Sequence, residues 1–244
     1  MSKKNIREHM DKGSIVISPF EPGNLGSTSH DVRLGPYFFR EQRDRGGSKI
    51  FNPFDPDHVK KYWGEPQYAI SASQWMSQNQ RLTNITDEDW LIVVEAGETI
   101  LAHTIEFVGG RSVELEVTPL DVLTATSEMR ARSTIGRVGI TVCKCAGWGD
   151  VGFVNRWTME ITNHLDSAAL TLPVGMRIAQ IAFYEVESDV GEETYAERGG
   201  KYQSADDIEQ VRAAWTPYDI LPKLFLDRDV RHFHEFITDD LKAA

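Results

Sequence analysis

Residues 131–163, ARSTIGRVGITVCKCAGWGDVGFVNRWTMEITN, contain a predicted β-strand with a glutamate in its middle. Successive side chains of a strand point to opposite sides, so Trp157, Met159 and Ile161 share one face and Glu160 lies on the other. If that second face meets solvent, Glu160 is an ordinary surface residue. If it lines a cavity, the carboxylate needs hydrogen bonds to be buried and can activate water as a general base. The strand alone leaves both interpretations open.

The neighbouring residues favour a site. Arg132, Ser133 and Arg137 surround a bend of small residues, and they supply guanidinium groups and a hydroxyl for phosphate oxygens. Asp150 lies among glycines, which allow a backbone to approach a ligand closely, and Phe153 can stack on a sugar or base. The alternatives are surface ion pairs for the arginines and a plain hairpin around Asp150.

Short strands separated by turns continue through residues 68–187 and predict a sandwich or barrel with mixed or antiparallel pairing. A short helix that ends at Gly13 precedes the first strand, and residues 41–66 form a Pro-, Gly- and charge-rich insertion. Residues 206–241 predict one or two further helices. We therefore expect a β domain over residues 1–190, followed over 191–244 by an arm that closes the site and a helical extension.

Composition limits the class of protein. The 244 residues carry a net charge of −11, which disfavours a general nucleic-acid binder, although arginines and lysines gathered in a cleft can still bind a small anion. No apolar run reaches the roughly 18 to 20 residues that span a bilayer, and the charged N-terminus does not resemble a secretory signal. A cytoplasmic protein that binds neither nucleic acid nor membrane is the expectation.

The two cysteines, Cys143 and Cys145, lie two residues apart in an apolar, strand-like run. A bridge between them would strain the chain, so reduced structural cysteines, buried in the protein, are the favoured interpretation. The alternative is a four-ligand zinc site that also uses His232 and His234, although neither pair has the usual spacing of zinc ligands.

Segments in a fixed order resemble the dCTP deaminase/dUTPase superfamily. They are GSIVISPF (13–20) with STSHDVRLG (27–35), RSTIGRVG (132–139), AGWGDVGFVNRWTMEITN (146–163), LPVGMRIAQIAF (172–183) and YAERGGKYQ (195–203). The resemblance implies a mainly β fold, a distorted jelly-roll-like barrel with a short N-terminal helix and a C-terminal helical appendage. It also implies a homotrimer with sites between subunits, and a deoxynucleoside triphosphate substrate bound with Mg²⁺ through its phosphates.

The same resemblance assigns roles to individual residues. Glu160 matches the general base that activates water against C4 of cytosine, and Ser133 and Arg137 match residues that hold the water network and phosphates. The backbone carbonyl of Ala146 helps to orient the water or amino group, and Asp150 meets the 3′-hydroxyl. The implied substrate contacts are Arg132, Trp148, Phe153, Gln180, Tyr195, Lys201 and Gln203.

The implied reaction is metal-independent deamination of dCTP to dUTP. Continuation to dUMP and pyrophosphate stays open, because a tryptophan at the position of Trp148 resembles the dUMP-forming members. The zinc deaminase signature, His-x-Glu with Pro-Cys-x-x-Cys, is absent from the sequence. Gly149 stands where the family usually has Ile, which predicts a roomier base pocket. That room supports the alternative function, action on a modified pyrimidine nucleotide or non-catalytic nucleotide binding and regulation. Cys143 replaces a His that is tied to dTTP feedback.

Overall fold

Antiparallel β-strands form most of the chain in this computed structural model, which describes residues 1–42, 50–115, 122–187 and 193–227. The strands are β1 (Ile15–Ser18), β2 (Ser29–Arg40), β3 (Gln67–Tyr68), β4 (Ile70–Ser71), β5 (Trp90–Val94), β6 (Thr99–Gly110), β7 (Ser112–Glu114), β8 (Val122–Ala131), β9 (Ile140–Thr141), β10 (Trp148–Gly149), β11 (Val154–Asn163), β12 (Leu170–Pro173) and β13 (Arg177–Glu185). The α-helices are α1 (Lys3–Lys12), α2 (Pro56–Trp63), α3 (Ala72–Gln78), α4 (Ser133–Arg137) and α5 (Ile208–Ala214). Short 3-10 turns cover Pro22–Asn24, Pro217–Ile220 and Leu224–Leu226.

Two compact units share these elements. The first comprises Met1–Arg40 and Pro66–Ile220, and the second comprises Glu41–Glu65 and Leu221–Ala244. The predicted boundary after residue 190 lies outside the described residues.

The first unit is built on a curled antiparallel sheet with the strand order β10-β8-β13-β2-β6-β11-β9. Strand β1 pairs with β6, β3 with β2 and β7 with β8, while β12, β5 and β4 form a separate small sheet. Every strand pair of the described residues is antiparallel. The predicted mainly β, barrel-like fold is confirmed.

The core lies on the inner face of this sheet. In β11, Trp157, Met159 and Ile161 are fully or almost fully buried, whereas Glu160 is only partly so, which confirms the alternation that the sequence predicts. Strand β6 is buried along nearly its whole length, as expected for a strand with neighbours on both sides and packing on both faces.

The predicted N-terminal helix is confirmed as α1. The Ser2 hydroxyl accepts the N–H of Asn5 at the start of the helix, and Gly13 ends it at φ 85°, a conformation that glycine adopts without strain.

The second unit contains most of the predicted insertion. Residues 56–63 form α2, whose first turn is capped by the Asp55 side chain, and Phe51 stacks on Tyr62 with ring centroids 4.2 Å apart. Of the predicted C-terminal helices, the described residues contain α5, which belongs to the first unit, and the two later 3-10 turns. Residues 228–244 lie outside the described part of the chain.

No helix within the described ranges combines the length and the apolar character that a membrane crossing requires.

Candidate active site

Glu160 lies on β11 opposite Leu101 of β6, with its side chain partly buried on the face away from the core. One carboxylate oxygen, Oε2, accepts the main-chain N–H of Lys144 at 3.1 Å. Burial raises the pKa of the Glu160 carboxyl above its ordinary value, and the Lys144 N–H and ammonium oppose that rise. A raised pKa makes the Glu160 carboxylate a better proton acceptor, which is what a general base requires.

The loop between β9 and β10 brings Lys144 to Glu160. The Lys144 ammonium donates to Thr99 Oγ1 at 3.1 Å, and Thr99 and Thr162 share a hydrogen bond of 2.8 Å between their hydroxyls. Thr99 and Thr162 are register partners of β6 and β11. The loop is therefore joined to the same strand that carries Glu160.

The two cysteines lie in this loop, and the expectation of a strand there is wrong because β9 ends at Thr141. Cys143 is half-buried, its thiol lies 3.8 Å from the Met129 carbonyl, and burial, with the charge of Glu160 adding to it, raises the thiol's pKa. Cys145 is exposed, so the expectation of burial fails for it, and its φ is 63°. In the described residues no cluster of three His, Cys, Asp or Glu side chains can bind a metal, and His232 and His234 lie outside those residues.

Ser133 and Arg137 lie on α4, a helix of 5 residues that follows β8 directly. The Arg137 guanidinium donates to the Ser133 hydroxyl at 3.4 Å, and both residues are exposed. The apolar Ile135 between them is buried and anchors the helix. The structure thus brings these two predicted residues together on one exposed surface.

Arg132 belongs to a cluster centred on Asp31 of β2. Asp31 Oδ2 lies 3.2 Å from Arg132 Nε and 3.1 Å from Arg177 Nη1, so two guanidiniums share one carboxylate. Gln180 pairs with Asp31 across β13 and β2, and its Oε1 accepts the Ser29 hydroxyl at 3.1 Å. The cluster carries more positive than negative charge, as an anion site requires.

Asp150 and Phe153 lie in the turn between β10 and β11. Asp150 is exposed, and the N–H of Phe153 donates to its main-chain carbonyl at 3.0 Å. The Phe153 ring meets Trp157 edge-on with centroids 5.7 Å apart and meets Tyr195 edge-on at 5.4 Å. Burial raises the pKa of Tyr195, and the negative charge of Asp150 adds to the effect. Three predicted residues therefore adjoin one another.

The arm, residues 193–207, packs against the same chain. Gln203 is buried at 6% exposure, its Oε1 accepts the Val154 N–H at 2.8 Å, and its amide N–H donates to the Gly152 carbonyl at 2.9 Å. Gly200 lies directly under the Tyr195 ring, where a Cβ atom would collide with it. Gln203 thus binds main chain here, while Lys201 lies in the turn just before it.

Trp148 and Gly149 form β10 and point in opposite directions. Trp148 is 61% exposed and stacks on Tyr184, with centroids 6.2 Å apart. A Cβ on Gly149 would lie 2.6 Å from two ring atoms of Trp157. The predicted extra room at Gly149 is wrong, because the indole of Trp157 already fills that space. Ala146, just before this strand, is exposed.

The structure thus gathers the predicted residues into three groups: Glu160 alone on β11, the Ser133–Arg137 helix beside the Asp31 cluster, and the Asp150–Phe153–Tyr195 group. Within the described ranges no hydrogen bond links Glu160 to Ser133 or Arg137. Sequence reasoning did not identify Lys144 or Arg177 as site residues. The Lys144 contact uses the main-chain N–H, so the residue type at that position gives no signal. Arg177 could have been found, because its cationic side chain lies on the same predicted strand as Gln180.

Comparison with known proteins places the chain among nucleotide deaminases. Residues 1–186 match the family profile described as dCTP deaminase-like. The dCTP deaminase of Natronomonas pharaonis is 31% identical over 205 residues, 83% of this chain and 89% of that protein. A Methanopyrus kandleri protein named dCTP deaminase, dUMP-forming, is 30% identical over 206 residues, with coverages of 83% and 89%.

Among solved structures, the 2′-deoxycytidine 5′-triphosphate deaminase of Agrobacterium tumefaciens aligns with a TM-score of 0.46 and 17% identity. The alignment covers 75% of this chain and 47% of that one.

Proposed function

This chain belongs to the dCTP deaminase-like family, and we propose that it hydrolyses dCTP to dUTP and ammonia with Glu160 as the general base. The observation that supports the base most directly is the partly buried Glu160 carboxyl, whose pKa burial raises. A general base works best when its pKa lies near the working pH. Helix α4 supplies the Ser133 hydroxyl and the Arg137 guanidinium, and the Asp31 cluster supplies further guanidinium groups. These are polar groups of the kind that a nucleotide substrate needs.

The reaction proceeds through addition of water to the pyrimidine. Glu160 accepts a proton as the water oxygen bonds to C4 and the C4=N3 π bond opens with its electron pair moving to N3, which gives a tetrahedral carbon that carries both OH and NH₂. The proton then passes to the amino group, the C4–N bond breaks with its electron pair leaving on nitrogen, and ammonia departs. As ammonia leaves, the electron pair on N3 re-forms the C4=N3 bond, and the hydroxyl proton then moves to N3, which leaves the C4 carbonyl and the N3–H of dUTP. In the proposal, Ser133 and Arg137 hold the attacking water, and the Ala146 carbonyl orients the amino group.

The substrate's triphosphate meets the arginines and the arm. Arg132 and Gln180 contact phosphate oxygens, and Tyr195 and Lys201 cover the phosphates from the arm, while Asp150 and Phe153 meet the deoxyribose. An Arg–phosphate contact is charge-assisted and is stronger than a neutral hydrogen bond. A localised cationic cluster of this kind binds a small polyanion on a chain whose net charge is −11.

Mg²⁺ accompanies the triphosphate in this proposal. The donor set fits an ion carried by the substrate, because Mg²⁺ keeps several waters and binds through substrate phosphates with few protein ligands. In the described ranges no cluster of three acidic, His or Cys side chains is present to hold it. When bound, the ion neutralises phosphate charge, and the steps at C4 use only the chain's own residues.

We propose a homotrimer in which the site lies between subunits. The separation of Glu160 from Ser133 and Arg137 in the hydrogen-bond network of one chain supports this arrangement, since a neighbouring copy can supply the missing side. The final product is dUTP or, as the name of the Methanopyrus kandleri relative suggests, dUMP with pyrophosphate.

Incubation of the protein with dCTP and Mg²⁺, followed by chromatography of the products, tests the function. We expect dUTP and ammonia, or dUMP, pyrophosphate and ammonia. Unchanged dCTP together with turnover of a 5-substituted analogue would instead favour action on a modified pyrimidine. No turnover of either, with binding retained, would favour a regulatory nucleotide-binding protein. The filled space beside Gly149 removes the observation that had supported these two alternatives.

Glu160→Gln tests the base. We expect deamination to fall by roughly 10²- to 10⁴-fold, the usual contribution of a positioned acid–base group, while calorimetry still detects dCTP binding. Glu114→Gln, the same change at an exposed position on β7, is the matched control and retains activity. Near-normal turnover by Glu160→Gln would contradict the proposed mechanism.

A further inference from the structure

Lys144, in the loop between β9 and β10, makes one contact with Glu160 and a second with Thr99. Its main-chain N–H donates to Glu160 Oε2 at 3.1 Å, and its ammonium extends to Thr99 Oγ1, also at 3.1 Å. The ammonium is exposed, so the contact with Thr99 orders a side chain that would otherwise be mobile in water.

Thr99 is a fixed point for this loop. It pairs in register with Thr162 across β6 and β11, and the two hydroxyls are 2.8 Å apart. Thr162 lies two residues after Glu160 on the same face of β11. The path from the ammonium through Thr99 and Thr162 therefore ends on the strand that carries the carboxylate, and it closes a ring with the main-chain contact.

Few charged groups surround Glu160. Lys144 is the cation that acts on it, and the neighbouring Cys143 thiol lies in the same loop. The β6 residue opposite Glu160 is the apolar Leu101, and the paired residues of β9 are Ile140 and Thr141. Among the described residues of a single chain, Lys144 is therefore the cation whose removal changes the electrostatic environment of the Glu160 carboxyl.

We propose that Lys144 is a positioning residue for the deamination reaction, which places the Glu160 carboxylate through its main-chain N–H and fixes that N–H through its anchor on Thr99. This inference rests on the proposed function, in which Glu160 is the base. Lys144 acts through Glu160 and needs no contact with the nucleotide. It also sets the charge of the loop beside the base, because an ammonium favours the ionised carboxylate.

The test compares pH profiles of kcat/KM for dCTP in matched variants. For Lys144→Met we expect the acidic limb to move up by roughly half a unit to one unit, because the carboxylate loses a nearby positive charge. At pH values below the pKa of Glu160, kcat of Lys144→Met is about three- to tenfold lower than that of the wild type, because a pKa shift of that size lowers the ionised fraction of the carboxyl by the same factor. KM for dCTP stays within about twofold, since no phosphate contact is lost.

Four further variants separate positioning from general damage. Lys144→Arg retains the charge and the anchor and restores the wild-type limb. Thr99→Val removes the acceptor without altering charge and lowers kcat, whereas Thr99→Ser retains the hydroxyl and restores it. Lys12→Met makes the same charge change on helix α1 and leaves the profile unchanged.

A titration of ¹³C-labelled glutamate side chains by NMR follows Glu160 without any turnover. A raised pKa of this carboxyl in Lys144→Met supports the contact between Lys144 and Glu160 independently of turnover, and the change in kcat links that contact to deamination. If dCTP is deaminated by the wild type but the limb, kcat and the NMR titration are all unchanged in Lys144→Met, the inference is overturned and the proposed function stands.

Discussion

The side chain of Trp157 restricts position 149 to glycine. A Cβ there would lie 2.6 Å from Cη2 and Cζ2 of Trp157 and 2.7 Å from Ser127 Oγ. The Trp157 indole is itself held, because it is buried and its Nε1–H donates to the Val108 carbonyl at 2.8 Å. A flexible neighbour would yield to a methyl group, but this ring cannot.

Gly149→Ala therefore strains the core beside the site. We expect a loss of about 1 to 3 kcal/mol in the free energy of unfolding, the usual cost of overpacking a well-packed interior. Urea denaturation measures it. Gly136→Ala is the matched control, since a Cβ at Gly136 has no neighbour within 4 Å and alanine suits the helix α4. An unchanged midpoint for Gly149→Ala would show that Trp157 moves aside.

Single residues mark the limit of prediction from sequence. The period of two in residues 157–162 was sufficient to place Glu160 on the face away from the core. The partnership of Gly149 with Trp157 was not predictable, because it depends on two strands that meet only in the folded sheet. The Lys144 N–H is available at any residue type except proline, so its contact with Glu160 has no signature in the sequence.

The elements β2, β6 and α5 meet at a buried histidine. His103 Nδ1 lies 2.8 Å from the Thr104 carbonyl, which can only accept, so Nδ1 carries the proton and Nε2 accepts the Tyr37 N–H at 3.3 Å. Trp215, just after α5, lies 4.8 Å from the His103 ring and 4.3 Å from the Arg156 guanidinium. The α5 segment is thus a packed part of the first unit.

Burial lowers the pKa of His103 from 6.5 to about 4. Because the folded value lies below the unfolded one, the stabilisation is complete above about pH 6.5 and is lost as the pH falls towards 4. We expect the wild type to lose about 2 kcal/mol more than His103→Gln between pH 7 and pH 4.5, as measured by urea unfolding at both values. His58→Gln, at an exposed position of helix α2, controls for the substitution and follows the wild type. Equal losses in wild type and His103→Gln would contradict the assignment.

The elements were predicted best where local chemistry defines their ends. Helix α1 ends at Gly13, as the sequence predicts, and its serine cap, Ser2, is a finding of the structure. The residues around Cys143 were predicted as a strand because they are apolar, yet β9 contains only Ile140–Thr141. Pairing with the end of β11 occupies just Thr162 and Asn163, so the chain leaves the sheet after that point.

At the scale of the whole molecule, the proposed shared site has a direct test in mixed subunits. Glu160→Gln and Ser133→Ala damage different groups, so each variant alone is inactive or nearly so. If the two groups in a site come from different copies, co-refolded equal mixtures regain about one quarter of wild-type activity by random assembly of sites in a closed ring. If both groups come from one chain, every subunit remains damaged and mixing restores nothing. Analytical ultracentrifugation of each mixture gives the assembly state.

The Asp31 cluster has a consequence for how this protein acquires activity. Its contact between Arg177 and Asp31 joins positions 146 apart in the chain, and Arg132 comes from a third region. Such distant pairings are reached slowly and late, because loop-closure entropy is lost before they form. After dilution from denaturant, recovered turnover should therefore trail the return of helical circular dichroism, and no truncated nascent chain that lacks β13 can acquire the assembled cluster.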